Sequence, residues 1–471
     1  MQEERQVDVA IIGCGSAGLY TLSKVRPAGK SVVMIDGGEL GTTCARVGCM
    51  PSKGVIQVAE DVHRREVYSR FGLEGGEQLA LDVEDAMEYV RDLRDNFVDR
   101  VLSNSSDNFP EGMLIDSYAH FVEPNVLETA DGQRIRAERI VIATGSRPLI
   151  PAAWAEFRDD IITTDEFFEL EQLPGSAAII GMGVIGLEIG QSMKRLGVQV
   201  TGIDLAETIG GLSDPEVAKH AIEIIGKEIP LWLGAPAELS RAEDGRIKVT
   251  AGEHSVVVDK VFASLGRVPN VDKLNLESIG VACDARGVPL HNPNTMQIGD
   301  LPIYIAGDVT AERPLLHEAG DEGRIAGFNA ATGSNMAFKR KTPLSIVFSD
   351  PNIVHVGASF ASLDPDTTAV GAMMMAPVGR ALIMAKNRGI IRVYADKASG
   401  KLLGGEMICA KGENLGHLLA WCIQMDLTVG QLLQMPFYHP VMEEALQAAL
   451  NDLYGKVEKK NDSPITELQP L

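Results

Sequence analysis

Residues 7–18 read Val-Asp-Val-Ala-Ile-Ile-Gly-Cys-Gly-Ser-Ala-Gly, a short β-branched apolar run closing on Gly13-x-Gly15-x-x-Gly18. The run predicts a strand, and the glycines mark the turn into a helix. A second apolar run closes on Asp36, 18 residues after the third glycine. Glycines in this spacing allow a tight turn and close backbone approach, so a pyrophosphate can rest on unpaired N–H groups at the positive end of the helix. Asp36 then stands where it can hydrogen-bond the ribose hydroxyls of a bound dinucleotide.

About 170 residues later the same order of strand, turn, helix and strand recurs: Ala177–Ile180 leads into Gly181-x-Gly183-x-x-Gly186, with Glu188 on the ensuing helix and Asp204 closing the next strand. Two such units imply an internal duplication and two bound dinucleotides. After Asp204 come Leu205, Ala206 and Glu207. No arginine stands there to accept a ribose 2′-phosphate and a carboxylate would repel one, so NAD is favoured over NADP at the second unit.

A chain of 471 residues is long enough for two to four domains with ample core. With 45% apolar residues, 48 glycines and 23% charged residues it reads as compact and turn-rich. A formal charge of −22 repels phosphate backbones and anionic lipid, which argues against nucleic acid or membrane partners. The charged N-terminus leaves no room for a signal-peptide apolar region, and no stretch of about 18 apolar residues predicts a membrane span. Pro148–Pro151 and Pro269-Asn270 are candidate boundaries.

Of six cysteines only Cys44 and Cys49 lie close together, too few for a disulfide framework; the expectation is a reducing cytoplasm with one special pair. Five residues separate them by slightly more than one helical turn, so a disulfide between them is geometrically plausible. Two core cysteines or half of a zinc site are the competing readings, although no second close Cys/His pair completes four ligands, and no metal is expected.

Several stretches occur in a telling order: Gly41-Thr-Thr-Cys44-Ala-Arg-Val-Gly-Cys49-Met-Pro-Ser-Lys53, Ala143-Thr144-Gly145-Ser146-Arg147-Pro148, Gly181 to Glu188, Gly266-Arg267-Val268-Pro269-Asn270, Ile305-Ala306-Gly307-Asp308 and, near the end, His439-Pro440. In content and order the chain resembles the pyridine nucleotide-disulfide oxidoreductases over nearly its whole length, and among them most closely the dihydrolipoamide dehydrogenases. The resemblance implies an α/β fold of two Rossmann-like dinucleotide-binding domains, for FAD and NAD, plus a C-terminal α+β dimerisation domain. The FAD domain would take residues 1–149 and 273–345, the NAD domain 150–272 and the interface domain 346–471.

By the same resemblance the FAD contacts include Gly13, Gly15, Gly18, Asp36, Lys53, Thr144, Gly145, Ser146, Asp308 on the ribityl chain, and His317 in the stretch beside the ring. Those to NAD include Gly181, Gly183, Gly186, Glu188, Asp204 and Gly266. Lys53 would pair with Glu188 beside the flavin. His439, oriented by Glu444, would be the acid/base and would reach the disulfide of the other subunit of a homodimer. Cys44 would exchange with a lipoamide-like dithiol, and Cys49 would face the flavin.

Mercuric reductases and the large thioredoxin reductases use additional C-terminal cysteines, whereas none follows Cys422. Phe437 and Tyr438 precede His439 where lipoamide enzymes carry smaller residues, Val441 replaces a threonine, and Asp36 replaces a commoner glutamate. Reduction of another small disulfide, docking into a 2-oxoacid dehydrogenase complex through its acyltransferase, or a redox-sensing role are the alternative expectations.

Overall fold

The computed structural model describes residues 4–471. The apolar run that opens the chain forms strand Arg5–Ile12, which lies between two parallel partners: Val9 faces Val32 on one side and Arg139 on the other. Around it a seven-stranded sheet runs in the order Leu114–Ile115, Val32–Ile35, Arg5–Ile12, Arg134–Ile142, Val126–Thr129, Ala119–Glu123. Its seventh strand, Ile303–Ile305, comes from far down the chain and pairs in parallel with Arg134–Ile142. Ile11, Met34, Ile35 and Ile140 are fully buried in it. Each such side chain contributes about 1.5–3 kcal/mol of transfer free energy, so covered strands of this kind read as continuous apolar runs.

A second parallel sheet has the order Leu231–Leu233, Gln199–Asp204, Ser176–Ile180, Lys260–Ala263, Ile161–Ile162. An antiparallel three-stranded sheet, Ala237–Arg241, Ile247–Ala251 and His254–Val258, accompanies it. Residues beyond these units form a five-stranded antiparallel sheet from Leu344–Val347 to Leu402–Cys409, whose core includes helices Gly412–Gln424 and Glu443–Lys456. Among the described residues no helix is long and apolar enough to cross a membrane.

The cysteine segment departs from the single helical turn its spacing suggests. Thr43–Val47 and Cys49–Arg64 are two helices, broken at Gly48 with φ −132° and ψ −121°. A Cβ at Gly48 would lie 2.9 Å from the Thr43 carbonyl oxygen, so the break takes a residue without one. Pro51 fits the first turn of the second helix, where its missing N–H costs nothing.

Candidate active site

The two glycine turns divide their labour in the same way. A Cβ at Gly13 would come 2.2 Å from the Ala143 carbonyl oxygen, and one at Gly18 would come 2.0 Å from that of Gly13. At Gly15, the residue before helix Ser16–Val25, nothing lies within 4 Å. In the second unit the corresponding approaches are 2.3 Å for Gly181 and 1.8 Å for Gly186, while Gly183 is again open. The outer glycines are demanded by packing. The middle ones clear a space before a helix N-terminus, which is the cradle a dinucleotide pyrophosphate requires. Both sites thus fit FAD- and NAD-type ligands.

Asp36 and Asp204 close back onto these turns. Cys14 N–H donates to Asp36 Oδ2 at 2.6 Å and Gly38 N–H to Oδ1 at 2.9 Å; Met182 and Ala206 N–H donate to Asp204 at 2.5 and 2.9 Å. An ionised carboxylate has about four lone-pair sites, so each retains acceptors for ribose hydroxyls.

Three separated motifs meet beside the first sheet. Thr144 Oγ1 donates to the Asn270 carbonyl at 2.7 Å and Asn270 Nδ2 to the Thr144 carbonyl at 3.0 Å, while Asn270 N–H bonds Gly145 O at 3.0 Å. Arg267 Nε donates to Ser146 Oγ at 2.7 Å, and Ser146 Oγ donates to Asp308 Oδ2 at 3.2 Å. Gly266, at φ +100°, precedes this arginine and follows Ser264, whose hydroxyl bonds the Gly181 carbonyl at 2.6 Å. Sequence reasoning missed Glu322 and Arg340 behind this cluster. Gly307 N–H donates to buried Glu322 at 2.8 Å, and Arg340 spans Glu318 and Glu322 at 2.6 and 2.7 Å. Burial pushes the Glu322 carboxyl up, with Arg340 opposing. His317 sits exposed on the first turn of helix Leu316–Thr332 with no hydrogen bond to the cluster among the described residues.

Lys53, on helix Cys49–Arg64, reaches helix Val184–Arg195 and bonds both Glu188 carboxylate oxygens at 3.0 and 2.8 Å. The Glu188 side chain is only 5% exposed. Phe348 was also missed: its N–H donates to Glu188 Oε1 at 3.0 Å, and its ring centroid lies 4.5 Å from the Lys53 ammonium.

Cys44 and Cys49 are both free thiols, close enough for each to act on the other's acidity. This proximity splits their acidities. The hydrogen bond from Cys44, aided by the Lys53 ammonium against burial and Glu188, lowers Cys49 to about 7. The Cys49 sulfur, with burial, drives the Cys44 thiol far above its ordinary value. The pair therefore shares one readily lost proton, and the negative charge resides on Cys49.

Cys44 lines a cavity of about 1080 Å3 bounded by residues of helices Ser16–Val25 and Val83–Ser103, among them Leu19, Phe97 and Val101. Cys49 does not line it. A smaller cleft of about 280 Å3 opens beside Lys53 and Phe348.

His439 Nδ1 and Glu444 Oε1 are 2.8 Å apart, and Val441 N–H donates to the other Glu444 oxygen at 2.9 Å. The hydrogen bond to His439 holds the Glu444 carboxyl below its usual range. The His439 side chain is 82% exposed and has no bond to either cysteine of its own chain among the described residues. Also among the described residues, no group of three or more His, Cys, Asp or Glu side chains is placed to hold a metal ion.

Comparison with known proteins gives the family and the fold. The family model described as pyridine nucleotide-disulphide oxidoreductase matches residues 7–323, and that of the family's dimerisation domain matches residues 344–450. A mercuric reductase of Lysinibacillus sphaericus is 29% identical, over 95% of this chain and 82% of that one. A dihydrolipoyl dehydrogenase of Thermus scotoductus is also 29% identical, over 95% of this chain and 97% of that one. Among solved structures, the HOCl-induced flavoprotein disulfide reductase RclA from Escherichia coli shares the fold, with a TM-score of 0.80, 23% identity and coverage of 96% and 100%.

Proposed function

The chain belongs to the pyridine nucleotide-disulphide oxidoreductases, enzymes of FAD and a nicotinamide dinucleotide, and we propose that it oxidises dihydrolipoamide with NAD+. The observation that carries this reading is the Cys44–Cys49 pair, one residue lining a substrate-sized cavity and the other, acidified, outside that lining. In the oxidised enzyme this pair is a disulfide, the form that accepts electrons from a dithiol.

His439 takes a proton from the substrate dithiol, since the thiolate is the attacking species, and Glu444 holds the imidazole through Nδ1. His439 serves the cysteines of a second subunit, which accounts for its exposure; the dimerisation domain that carries it supports a homodimer. The substrate thiolate attacks Cys44 and displaces Cys49 as a thiolate, whose negative charge the Lys53 ammonium favours. The second substrate sulfur then closes the product disulfide and releases Cys44. FAD and NAD+ supply the two-electron path out of the dithiol pair when bound. Lys53, ion-paired with Glu188 and seated against Phe348, keeps its positive charge beside Cys49. Over the cycle the dithiol loses two electrons and two protons; with FAD and NAD+ bound, the electron pair and one proton would be taken up by the dinucleotide, and the other proton would pass through His439 to solvent.

The first unit, with Gly15, Asp36, Thr144, Ser146 and Asp308, is assigned to FAD, and the second, with Gly183 and Asp204, to NAD. Leu205, 69% exposed where a phosphate-binding arginine would stand, supports NAD over NADP. The test is steady-state turnover of dihydrolipoamide with NAD+ against NADP+, beside other dithiols and disulfides. A flavin-loaded protein that reduces NAD+ with none of the dithiols contradicts the assignment.

Tyr438, 80% exposed beside His439, favours a second reading in which the physiological partner is a different small disulfide, reduced at the expense of NADH. Faster NADH-driven reduction of such a disulfide than dihydrolipoamide oxidation would select it.

A further inference from the structure

The cavity beside Cys44 has an asymmetry that the transfer of electrons does not use. Its apolar lining includes Leu19, Met50 and Phe97, but two arginines also line it: Arg26, at the C-terminal end of helix Ser16–Val25, and Arg100, in the last turn of helix Val83–Ser103. Both are exposed, and neither pairs with a carboxylate among the described residues, although the chain has 65 acidic residues against 43 basic ones. Arg100 lies 6.0 Å above the Phe97 ring, which orders its stem along the apolar wall. From Ser16 to Arg26 the helix rises roughly 15 Å, and one cavity is lined by Cys44 and by both arginines, with apolar and small polar side chains between.

The geometry points to a dithiol or disulfide substrate that carries a carboxylate at the far end of a short apolar arm, bound with its sulfurs at Cys44 and its carboxylate at Arg26 and Arg100. A neutral amide end forgoes the charge-assisted hydrogen bonds that guanidinium groups give a carboxylate. The cations also offset, at the mouth, a net charge of −22 that would otherwise repel an acid. This inference rests on the dithiol-oxidising reading above and specifies its substrate.

The experiment compares dihydrolipoate with dihydrolipoamide, which share a dithiol and differ only in acid against amide, using the flavin-loaded enzyme and NAD+. The wild type is expected to favour the acid in kcat/KM by about tenfold or more. The double variant Arg26→Gln, Arg100→Gln is expected to bring that ratio near one, and the double lysine variant to retain most of it. The wild-type preference is also expected to shrink between about 0.02 and 0.5 M salt as screening lengths shorten, a readout that survives poor folding of any variant. Dihydrolipoamide used as well as the acid at low salt, or an acid preference indifferent to both salt and substitution, overturns this inference and leaves the dithiol reaction standing. Turnover of neither dithiol overturns both.

Discussion

The Lys53 ammonium lies 2.8 Å from a carboxylate oxygen of Glu188, a residue 135 positions further along the chain. This ion pair ties the helix that begins at Cys49 to the helix of the second glycine turn. The two charges act on Cys49 in opposite senses: Lys53 favours the thiolate and Glu188 opposes it.

Substitutions at the two ends of the pair should therefore move the thiolate in opposite directions. The reduced wild type is expected to gain its Cys49 thiolate with a midpoint near 7 and lose it as pH falls through that value. Lys53→Met should raise the midpoint by about one pH unit and Glu188→Gln should lower it. Thiolate absorbance of the reduced protein against pH measures both, and shifts of the same sign would contradict the assignment.

His439→Gln should depress dithiol oxidation by about 10²- to 10⁴-fold, the usual weight of a positioned acid/base. Transfer between NADH and the flavin, which asks nothing of His439, should stay near wild type in a rapid-mixing measurement. Glu444→Gln, which keeps a hydrogen-bonding side chain but removes the charge from the 2.8 Å contact, should fall between wild type and His439→Gln.

The glycine turns separate binding from folding. Gly183→Ala meets no protein atom within 4 Å, so its thermal midpoint should match wild type while its KM for NAD+ rises at least tenfold. Gly186→Ala would set a Cβ 1.8 Å from the Gly181 carbonyl oxygen and should cost stability outright. Calorimetry beside steady-state kinetics distinguishes the two losses.

At the second unit, NAD+ should exceed NADP+ in kcat/KM by about 100-fold, as the aspartate at the strand end repels a 2′-phosphate. Asp204→Ser with Leu205→Arg should shrink that ratio by raising activity with NADP+. Loss of activity with both dinucleotides would show that Asp204 serves mainly to hold the turn, through Met182 and Ala206 N–H.

Much of this was legible in the sequence because the signals are local. Gly13, Gly18, Gly181 and Gly186 are fixed by contacts within a strand, a turn and a helix, so their spacing carries the geometry. The strand at Arg5–Ile12 follows from an apolar run whose C-terminal half is buried. Lys53 and Glu188 could be paired only through a family resemblance, and they do meet. Phe348 could not be read because its bond to Glu188 spans 160 residues and uses a backbone N–H, which has no side-chain signature. Arg340 is equally silent in sequence, since only the folded chain brings it between buried Glu318 and Glu322. The spacing of Cys44 and Cys49 suggested one helix, whereas the approach of Gly48 to Thr43 interrupts it. Beyond Lys456 the sequence is polar, and what holds it is equally non-local: Asn461 N–H bonds Tyr454 Oη at 2.6 Å and its amide bonds Gly430 O at 3.0 Å.

Arg46 lies between the two cysteines, so tryptic cleavage after it separates Cys44 from Cys49 and makes their linkage visible by mass. Air-oxidised holoprotein, alkylated, denatured and digested, is expected to yield the two peptides joined by a disulfide. Holoprotein first reduced with NADH is expected to yield both peptides separately alkylated. Two fully alkylated thiols before any reduction, or a linkage that NADH cannot open, would contradict electron transfer through this pair.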